Sequence, residues 1–267
     1  TGSNGAAAGV VVVDKEQGIL SASLYNGVNA EVEDQVKAVK KAVEEELSAV
    51  FATTSVDLNG ERSPGVRTEE TNLGDFAADA ILWAAKQAVG EDNVVAALTN
   101  GGGIRASIKA GDVTMLDMKT VFPFGNEVAT LTITGAELLE ALEAATFSAP
   151  EALGAFPQVA GIVFTLDTTV PYEQGDAYPD STYFAPKAPG ARVTIESVGG
   201  EPFDAEKSYT IATNDFTAAG GDTYYVFRYA WAATGYKTGV ALEDALVNYT
   251  QTVLGGAIGD TYAAPQG

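Results

Sequence analysis

The chain has 267 residues, of which 46% are hydrophobic, so it can bury a sizeable core in one large or two small domains. Its formal net charge of -21 argues against a nucleic-acid polymer as partner, because such binding depends on lysine and arginine at phosphates. The chain contains no cysteine and no histidine, which excludes disulfides, thiol chemistry, Ser-His-Asp catalysis and imidazole metal sites, so that a bound metal would need oxygen ligands.

The N-terminal fifty residues or so are predicted to differ from the rest of the chain. Residues 1–9 lack the basic and apolar segments of a signal peptide and are expected to form a flexible end. Residues 10–13 and 19–25 are typical of two short strands, and such a hairpin needs a surface on which to pack. Asn29 can cap a helix that runs to about residue 50, with valines at helical spacing. A long helix after an isolated hairpin indicates a connector between domains.

Residues from 52 onward are predicted to form an α+β domain with a mixed β-sheet flanked by helices, because strands and helices follow each other without strict alternation. A long irregular loop rich in proline, tyrosine and aspartate is expected at 168–189. No run of about 20 apolar residues occurs, so the sequence predicts no membrane span. Helices are expected at 72–89, 116–121, 136–145 and 242–254, and strands at 53–58, 93–98, 127–133, 161–166, 191–198 and 209–213.

The segment from Arg67 to Asp75 leads into the first of these helices. Thr71 or Asn72 can cap the helix and Asp75 can complement its dipole, so capping alone explains much of the segment. Capping does not explain Arg67, which is one of only five arginines in the chain. Arg67 is therefore a candidate for binding an anion.

The segment Asn100-Gly-Gly-Gly-Ile-Arg105 directly follows an apolar strand. Its glycines would let the backbone approach a ligand and expose N–H donors, and Arg105 could bind phosphate or hydroxyl oxygens. One alternative is a tight turn without a ligand. A dinucleotide-binding loop is another alternative, but no long helix follows, and Gly111 and Asp112 come too soon.

Two further segments place phenylalanines on loops. In the segment Phe-Pro-Phe-Gly-Asn, Phe122 is expected in the core, whereas Phe124 lies between proline and glycine and is expected to point outward. In the segment 213–222, Phe216 follows a strand and two glycines precede Asp222. A calcium loop is the alternative for this segment, although its spacing lacks the EF-hand pattern.

Together these side chains are of the types that bind a nucleotide. Two aromatic rings can stack on a base, at roughly 1–3 kcal/mol for each stacked base. The Asp222 carboxylate could accept hydrogen bonds from ribose hydroxyls, and the arginines could bind phosphate. The residues themselves therefore predict a nucleotide pocket.

The order of these segments resembles the C-terminal domain of the 5'-nucleotidase family, which includes UDP-sugar hydrolases and 2',3'-cyclic nucleotide phosphodiesterases. The resemblance covers about residues 52–254. The matching segments are R-x-x-E-x-N-L-G-D from Arg67, N-G-G-G-I-R from Asn100, F-P-F-G-N from Phe122, F-P-Q-V-A-G from Phe156 and N-D-F-x-A-x-G-G-D-x-Y from Asn214.

The resemblance implies a substrate site and a role for most of its residues. The two phenylalanines would clamp the base, the aspartate would bind the ribose hydroxyls, and the arginines would contact the sugar–phosphate part. The first asparagine would be a polar neighbour of that part, and Asn126 would lie near the base edge. The positions concerned are Arg67, Asn100, Gly102, Gly103, Arg105, Phe124, Asn126, Phe216 and Asp222.

The resemblance also implies a second domain. The family's N-terminal metallophosphoesterase domain binds two divalent metal ions through His, Asp and Asn, and a metal-activated water attacks the phosphorus. A chain without histidine cannot contain that site. Residues 1–28 are thus predicted to be a flexible end with remnant strands of the catalytic domain, 29–51 an interdomain linker helix, and 52–267 the nucleotide-binding domain. The chain alone is expected to need no cofactor and to bind nucleosides or nucleotides without hydrolysing them, with the metallophosphoesterase domain as its partner.

The full-length protein is expected to be an extracellular, cell-surface or periplasmic nucleotide phosphohydrolase, from the habit of the family and the acidity of the chain. The alternative is a stand-alone nucleotide-binding or surface interaction module without hydrolase activity. The short hairpin and the linker helix count against that alternative. A third hypothesis, a dinucleotide-dependent oxidoreductase, rests only on the weak match of the glycine segment at 101–106 to a dinucleotide-binding pattern.

Overall fold

The computed structural model describes residues 9–14, 16–24 and 29–266, and the chain divides into two compact units at Leu47 and Ser48. The first unit contains an antiparallel hairpin of β1 (Gly9–Asp14) and β2 (Ile19–Leu24), and the helix α1 (Ala30–Leu47). This helix ends at Leu47, before the expected residue 50. The flexible end predicted for residues 1–9 lies almost wholly outside the described residues.

The helix α1 begins as its sequence indicates. Asn29 Oδ1 accepts hydrogen bonds from the backbone N–H groups of Glu31, at 3.0 Å, and Val32, at 3.2 Å. These bonds satisfy two of the N–H groups that the first helical turn leaves unpaired. The helix has no buried residue, and its exposed valines are Val32, Val36, Val39 and Val43.

The second unit is built on a five-stranded mixed sheet. Its strands in spatial order are β14 (Tyr236–Ala241), β6 (Glu127–Thr134), β13 (Ser208–Asn214), β4 (Ala96–Asn100) and β7 (Pro157–Ala160). The strands β13 and β4 are parallel, and the other neighbours are antiparallel. The prediction of an α+β fold with a mixed sheet between helices is confirmed.

Both faces of the sheet are buried at its inner strands β6, β13 and β4, where neighbouring residues of a strand belong to opposite cores. The first core contains Ala97 of β4 and Ala212 of β13, together with helices α2 (Asn72–Val89), α3 (Met115–Val121) and α7 (Leu242–Thr252). The second core contains Leu98 and Ile211 from the same strands, together with helix α4 (Gly135–Ala145) and parts of α6 (Phe227–Thr234). This alternation explains why the strands are apolar on both faces.

Shorter strands and helices complete the unit. One three-stranded sheet contains β12 (Glu201–Pro202), β11 (Val193–Val198) and β8 (Ile162–Leu166), and another contains β15 (Ala257–Ile258), β3 (Val50–Thr54) and β5 (Gly111–Thr114). The strands β9 (Gln174–Ala177) and β10 (Phe184–Pro186) pair as a hairpin, and α5 (Asp215–Ala218) is a single helical turn. None of the helices in the described part of the chain has the length and apolar character needed to cross a bilayer.

Two expectations from the sequence are wrong. The loop expected to be irregular at 168–189 contains the β9–β10 hairpin, in which Tyr172 donates a hydrogen bond to Phe184 O at 2.9 Å. The strand expected at 53–58 lies at Val50–Thr54, because Thr54 Oγ1 bonds to Val56 O at 2.8 Å and turns the chain. In the second case a local hydrogen bond outweighs the alternating sequence pattern, and in the first the pairing of two strands organises a segment whose composition is typical of a loop.

Candidate functional site

The candidate site lies at one edge of the main sheet. The strands β4 and β13 are parallel neighbours, so their C-terminal ends, at Asn100 and Asn214, open toward the same side. A cleft of about 360 Å³ lies there. The residues that line it are Arg67, Asn100, Gly102, Gly103, Arg105, Phe124, Asn126, Gly154, Phe216 and Asp222. The structure thus brings together all nine residues that the sequence singled out, from four separate segments.

Two phenylalanines present their rings to the cleft and to solvent, Phe124 from a loop and Phe216 from the helical turn α5, so the prediction that Phe216 lies on a loop is wrong. Phe124 is 61% exposed and Phe216 is 45% exposed, whereas Phe122 is buried, as expected. The loop that carries Phe124 turns at Gly125, whose φ of 67° is in the left-handed region that glycine tolerates. The Phe216 ring packs over Gly221, where an added Cβ would lie 2.5 Å from the ring. These rings are the apolar surfaces on which a flat group could stack.

The glycine run after β4 makes hydrogen bonds and close packing contacts within the protein backbone. The N–H of Gly101 donates to Phe156 O at 2.8 Å, and the N–H of Gly102 donates to Gly154 O at 2.7 Å. An added Cβ on Gly101 would lie 1.7 Å from Val66 O, so the glycine permits close backbone packing. The expectation that this run exposes its N–H groups to a ligand is therefore wrong for its first two glycines.

A chain of amide contacts positions the Asp222 carboxylate. Asn100 Oδ1 accepts hydrogen bonds from Asn214 Nδ2 at 3.0 Å and from Thr217 Oγ1 at 3.3 Å. Because both donors bind the amide oxygen, the Asn100 amino group points the other way and donates to Asp222 Oδ2 at 3.1 Å. Asp222 itself has a φ of 51°, a conformation that Asp and Asn adopt more readily than most residues.

The cleft holds charged groups that are partly removed from water. Burial lowers the pKa of the Arg67 guanidinium, and the positive charges of Arg62 and Arg105 lower it further. Burial raises the pKa of Asp222, while the Asn100 hydrogen bond and the Arg67 charge oppose that shift. Arg105 also lies over the Phe124 ring, with its Cζ 5.6 Å from the ring centroid. Mutually repelling arginines favour an anion between them.

The asparagine near the Phe124 ring belongs to a second polar group. Asn126 Nδ2 donates to Asp215 Oδ1 at 2.8 Å, and the N–H of Glu127 donates to the same oxygen at 3.2 Å. Lys237 Nζ lies 2.8 Å from Asp215 Oδ2 and 3.4 Å from the Glu127 carboxylate. Burial raises the pKa of Asp215, but these hydrogen bonds and the lysine charge outweigh it, so the net shift is downward. Asp215 is therefore an anion at neutral pH.

Sequence reasoning missed two contributors to this region. Gly154 lines the cleft, and a Cβ there would lie 3.7 Å from Asp222 Oδ2 and 3.8 Å from Arg67 Nη1. Arg62 lies near enough to Arg67 to lower its pKa. The scarcity of arginine was a signal for Arg62, whereas no local pattern marks Gly154. Among the described residues, no group of three or more His, Cys, Asp or Glu side chains is placed to hold a metal ion.

The fold and the cleft define the class of protein. The second unit is an α+β domain with a mixed sheet between helices, and two phenylalanine rings and an arginine pair lie at one edge of that sheet. Residues 50–229 match the family model described as "5'-nucleotidase, C-terminal domain". The chain belongs to this family, and the resemblance stated from the sequence is confirmed.

Named relatives agree with this assignment. The trifunctional nucleotide phosphoesterase protein YfkN of Bacillus subtilis is 38% identical over 225 residues, which cover 82% of this chain and 14% of that protein. A 5'-nucleotidase of Vibrio cholerae is 32% identical over 205 residues, which cover 76% of this chain and 32% of the relative. The chain therefore spans less than a third of either relative.

A solved structure shows the same fold. The crystal structure of a 5'-nucleotidase precursor from Thermus thermophilus matches with a TM-score of 0.70 and 28% identity. The match covers 95% of this chain and 48% of that structure. The likeness thus includes nearly all of the present chain and about half of the larger protein.

Proposed function

We propose that this chain is the substrate-binding domain of a 5'-nucleotidase-type phosphohydrolase and that it binds nucleosides and nucleotides in the cleft. One observation carries the proposal: rings, arginines and a carboxylate from four distant segments line one cavity of about 360 Å³. In this assignment Phe124 and Phe216 stack on the base, Asp222 accepts from the ribose hydroxyls, and Arg67 and Arg105 bind the phosphate side.

Calorimetric titration with adenosine and with AMP, without metal, tests this assignment. The Phe124→Ala variant should lose affinity by about fivefold to 150-fold, because stacking of a base contributes roughly 1–3 kcal/mol. The matched control is Phe184→Ala, which removes an exposed ring of β10 that does not line the cleft. Equal affinities of the two variants, or no binding by the unaltered chain at millimolar ligand, would contradict the proposal.

We also propose that hydrolysis needs a domain outside this chain. The two divalent metal ions that the family resemblance implies would be bound by an N-terminal metallophosphoesterase domain, which would be the partner of this one. The absence of histidine and the shares of the relatives that the chain spans support this proposal. Release of phosphate from AMP is measured with Mg²⁺ or Mn²⁺ present. Metal-dependent release by the purified chain would contradict the proposal.

The same reasoning supports a location outside the cytoplasm for the full-length protein, either secreted, at the cell surface or periplasmic. A net charge of -21 suits an exported soluble domain, and the family resemblance points the same way. Fractionation of the source cells tests the location. Recovery of the protein with the cytoplasmic fraction alone would overturn it.

A further inference from the structure

The polar group beside the Phe124 ring holds the Asn126 amide in one orientation. An ionised carboxylate can only accept hydrogen bonds, so the amide must turn its amino group toward Asp215. A reversed amide would place its oxygen against the carboxylate oxygen, which is repulsive. Lys237 and the Glu127 N–H bind the same carboxylate and keep it charged and in place.

This orientation determines what Asn126 offers to a ligand. Asn126 lines the cleft, and within the described part of the chain its Oδ1 accepts no hydrogen bond. The oxygen is therefore the available acceptor of this side chain. Phe124 and Asn126 lie on the same loop on either side of Gly125, so a base stacked on the ring presents an edge to the amide.

Nucleobases differ at that edge in a simple way. Adenine and cytosine carry an exocyclic amino donor beside a ring nitrogen that accepts. Hypoxanthine and uracil carry an oxo acceptor beside a ring N–H donor. A freely rotating amide could serve both patterns, whereas an amide whose oxygen is fixed toward the ligand pairs with the amino group and repels the oxo group.

We propose that Asp215 and Lys237 are positioning residues that fix Asn126 as a hydrogen-bond acceptor, so that the cleft selects adenine and cytosine over hypoxanthine and uracil. This inference rests on the proposed nucleotide-binding role of the cleft. Beyond that role, it names the chemical class of the preferred base and assigns a function to Asp215 and Lys237, which do not line the cleft. The selection follows the polarity of the base edge and is independent of ring size.

The test compares two ligand pairs by calorimetry: adenosine with inosine, and cytidine with uridine. The unaltered chain should prefer the amino member of each pair by about threefold to tenfold, as expected for one net hydrogen bond. In Asp215→Asn, the new amide can donate to Asn126 Oδ1 and turn the amide round. Both preferences should then disappear or reverse.

Two lysine variants separate positioning from general stability. Lys237→Ala should reduce both preferences, and Lys237→Arg should restore them by keeping an ion pair with Asp215. The matched control is Lys187→Ala, which breaks an exposed pair with Glu173 of the same 2.8 Å length outside the cleft. That control should leave both preferences unchanged. Thermal unfolding of every variant shows whether it is folded, and the preferences do not depend on the fraction of active protein.

The outcomes distinguish the two proposals. Binding of all four nucleosides with equal affinity would overturn the base selection and leave the nucleotide-binding role standing. Retention of both preferences in Asp215→Asn and Lys237→Ala would overturn the positioning role. If none of the nucleosides binds to the folded chain, the proposed function falls and this inference falls with it.

Discussion

At the scale of single residues, Asp222 combines a constrained backbone with a constrained side chain. Its positive φ restricts which residues can replace it, because Asn tolerates the left-handed region and Ala adopts it less easily. Its carboxylate is oriented by the amide of Asn100, which Asn214 and Thr217 hold from the other side. A substitution that tests the function of Asp222 must therefore remove the negative charge of its side chain and keep the size of that side chain and the backbone conformation.

The variant Asp222→Asn meets that requirement. If the carboxylate accepts from the ribose hydroxyls, the unaltered chain should bind adenosine about tenfold to 100-fold more tightly than 2',3'-dideoxyadenosine, as expected for bonds to a charged group. In Asp222→Asn this preference should shrink to a few-fold while the thermal midpoint changes little. Calorimetry and thermal unfolding measure the two effects. An unchanged ribose preference would assign the hydroxyl contact to another residue.

At the scale of elements, Gln158 connects β7 to the loop that carries Arg67. It is buried, its Oε1 accepts from the N–H of Thr71 at 3.0 Å, and its Nε2 donates to Val66 O and Glu69 O at 3.2 and 2.8 Å. Helix α2 can approach this side chain because its residue 74 is glycine, where a Cβ would lie 1.7 Å from Gln158 Oε1. The position of Arg67 thus depends on a residue about ninety positions away.

Removal of that side chain should therefore affect both stability and binding. Gln158→Ala leaves the buried Thr71 N–H and Val66 O and the partly buried Glu69 O without this partner, and we expect a loss of about 2–4 kcal/mol in the free energy of unfolding. AMP affinity should also fall, since the loop that carries Arg67 loses its support. The comparison is Thr71→Ala, which removes the helix cap bond to the N–H of Gly74 and a long contact of 3.5 Å to Gln158 Oε1, and which should cost about 1 kcal/mol. Urea unfolding measures both values, and a smaller loss for Gln158→Ala than for Thr71→Ala would contradict this account.

At the scale of the whole molecule, the acidic side chains of this chain are not confined to its surface. Asp75 lies in helix α2, is only 5% exposed and accepts the N–H of Gln266 at 3.1 Å. Burial raises the pKa of Asp75 to about 7, and the negative charges of Glu70 and Asp79 add to the shift. There is thus a range of pH in which Asp75 is protonated in the folded chain and ionised in the unfolded chain.

The sign of the resulting pH dependence follows from proton counting. Between pH 4 and pH 7, as bounded by the ordinary pKa of 3.8 and the raised value of about 7, the folded chain binds the proton that the unfolded chain has lost. The contribution of Asp75 to stability therefore falls as the pH rises through this window. Asp75→Asn cannot ionise, so its advantage over the unaltered chain should be larger at pH 8 than at pH 4.5.

Thermal unfolding at the two pH values measures that difference. We expect the advantage to grow by at least about 1 kcal/mol, which for a chain of this size is roughly 2–4 °C in the unfolding midpoint. Other titrating groups are common to both proteins, so their effects cancel in the comparison. An advantage that is equal at the two pH values would contradict the raised pKa.

Much of the fold and of the candidate site followed from local sequence. The helix at 72–89 was predicted with both its ends, because apolar spacing and the Thr71 cap act within a few residues. The different exposure of Phe122 and Phe124 followed from the flanking proline and glycine. The division into residues 1–28, 29–51 and 52–267 as parts of two domains stays a prediction, as do the binding roles of the nine cleft residues.

Tertiary structure decided what depends on partners far along the chain. The N–H groups of Gly101 and Gly102 are bonded to the segment 154–156, and Asn126 is oriented by Asp215, which lies 89 positions away. Gly154 lines the cleft only because that segment packs against β4. A local pattern records which residue types a turn or helix needs. Which hydrogen-bonding group meets which other group is determined only when the chain closes its long-range contacts.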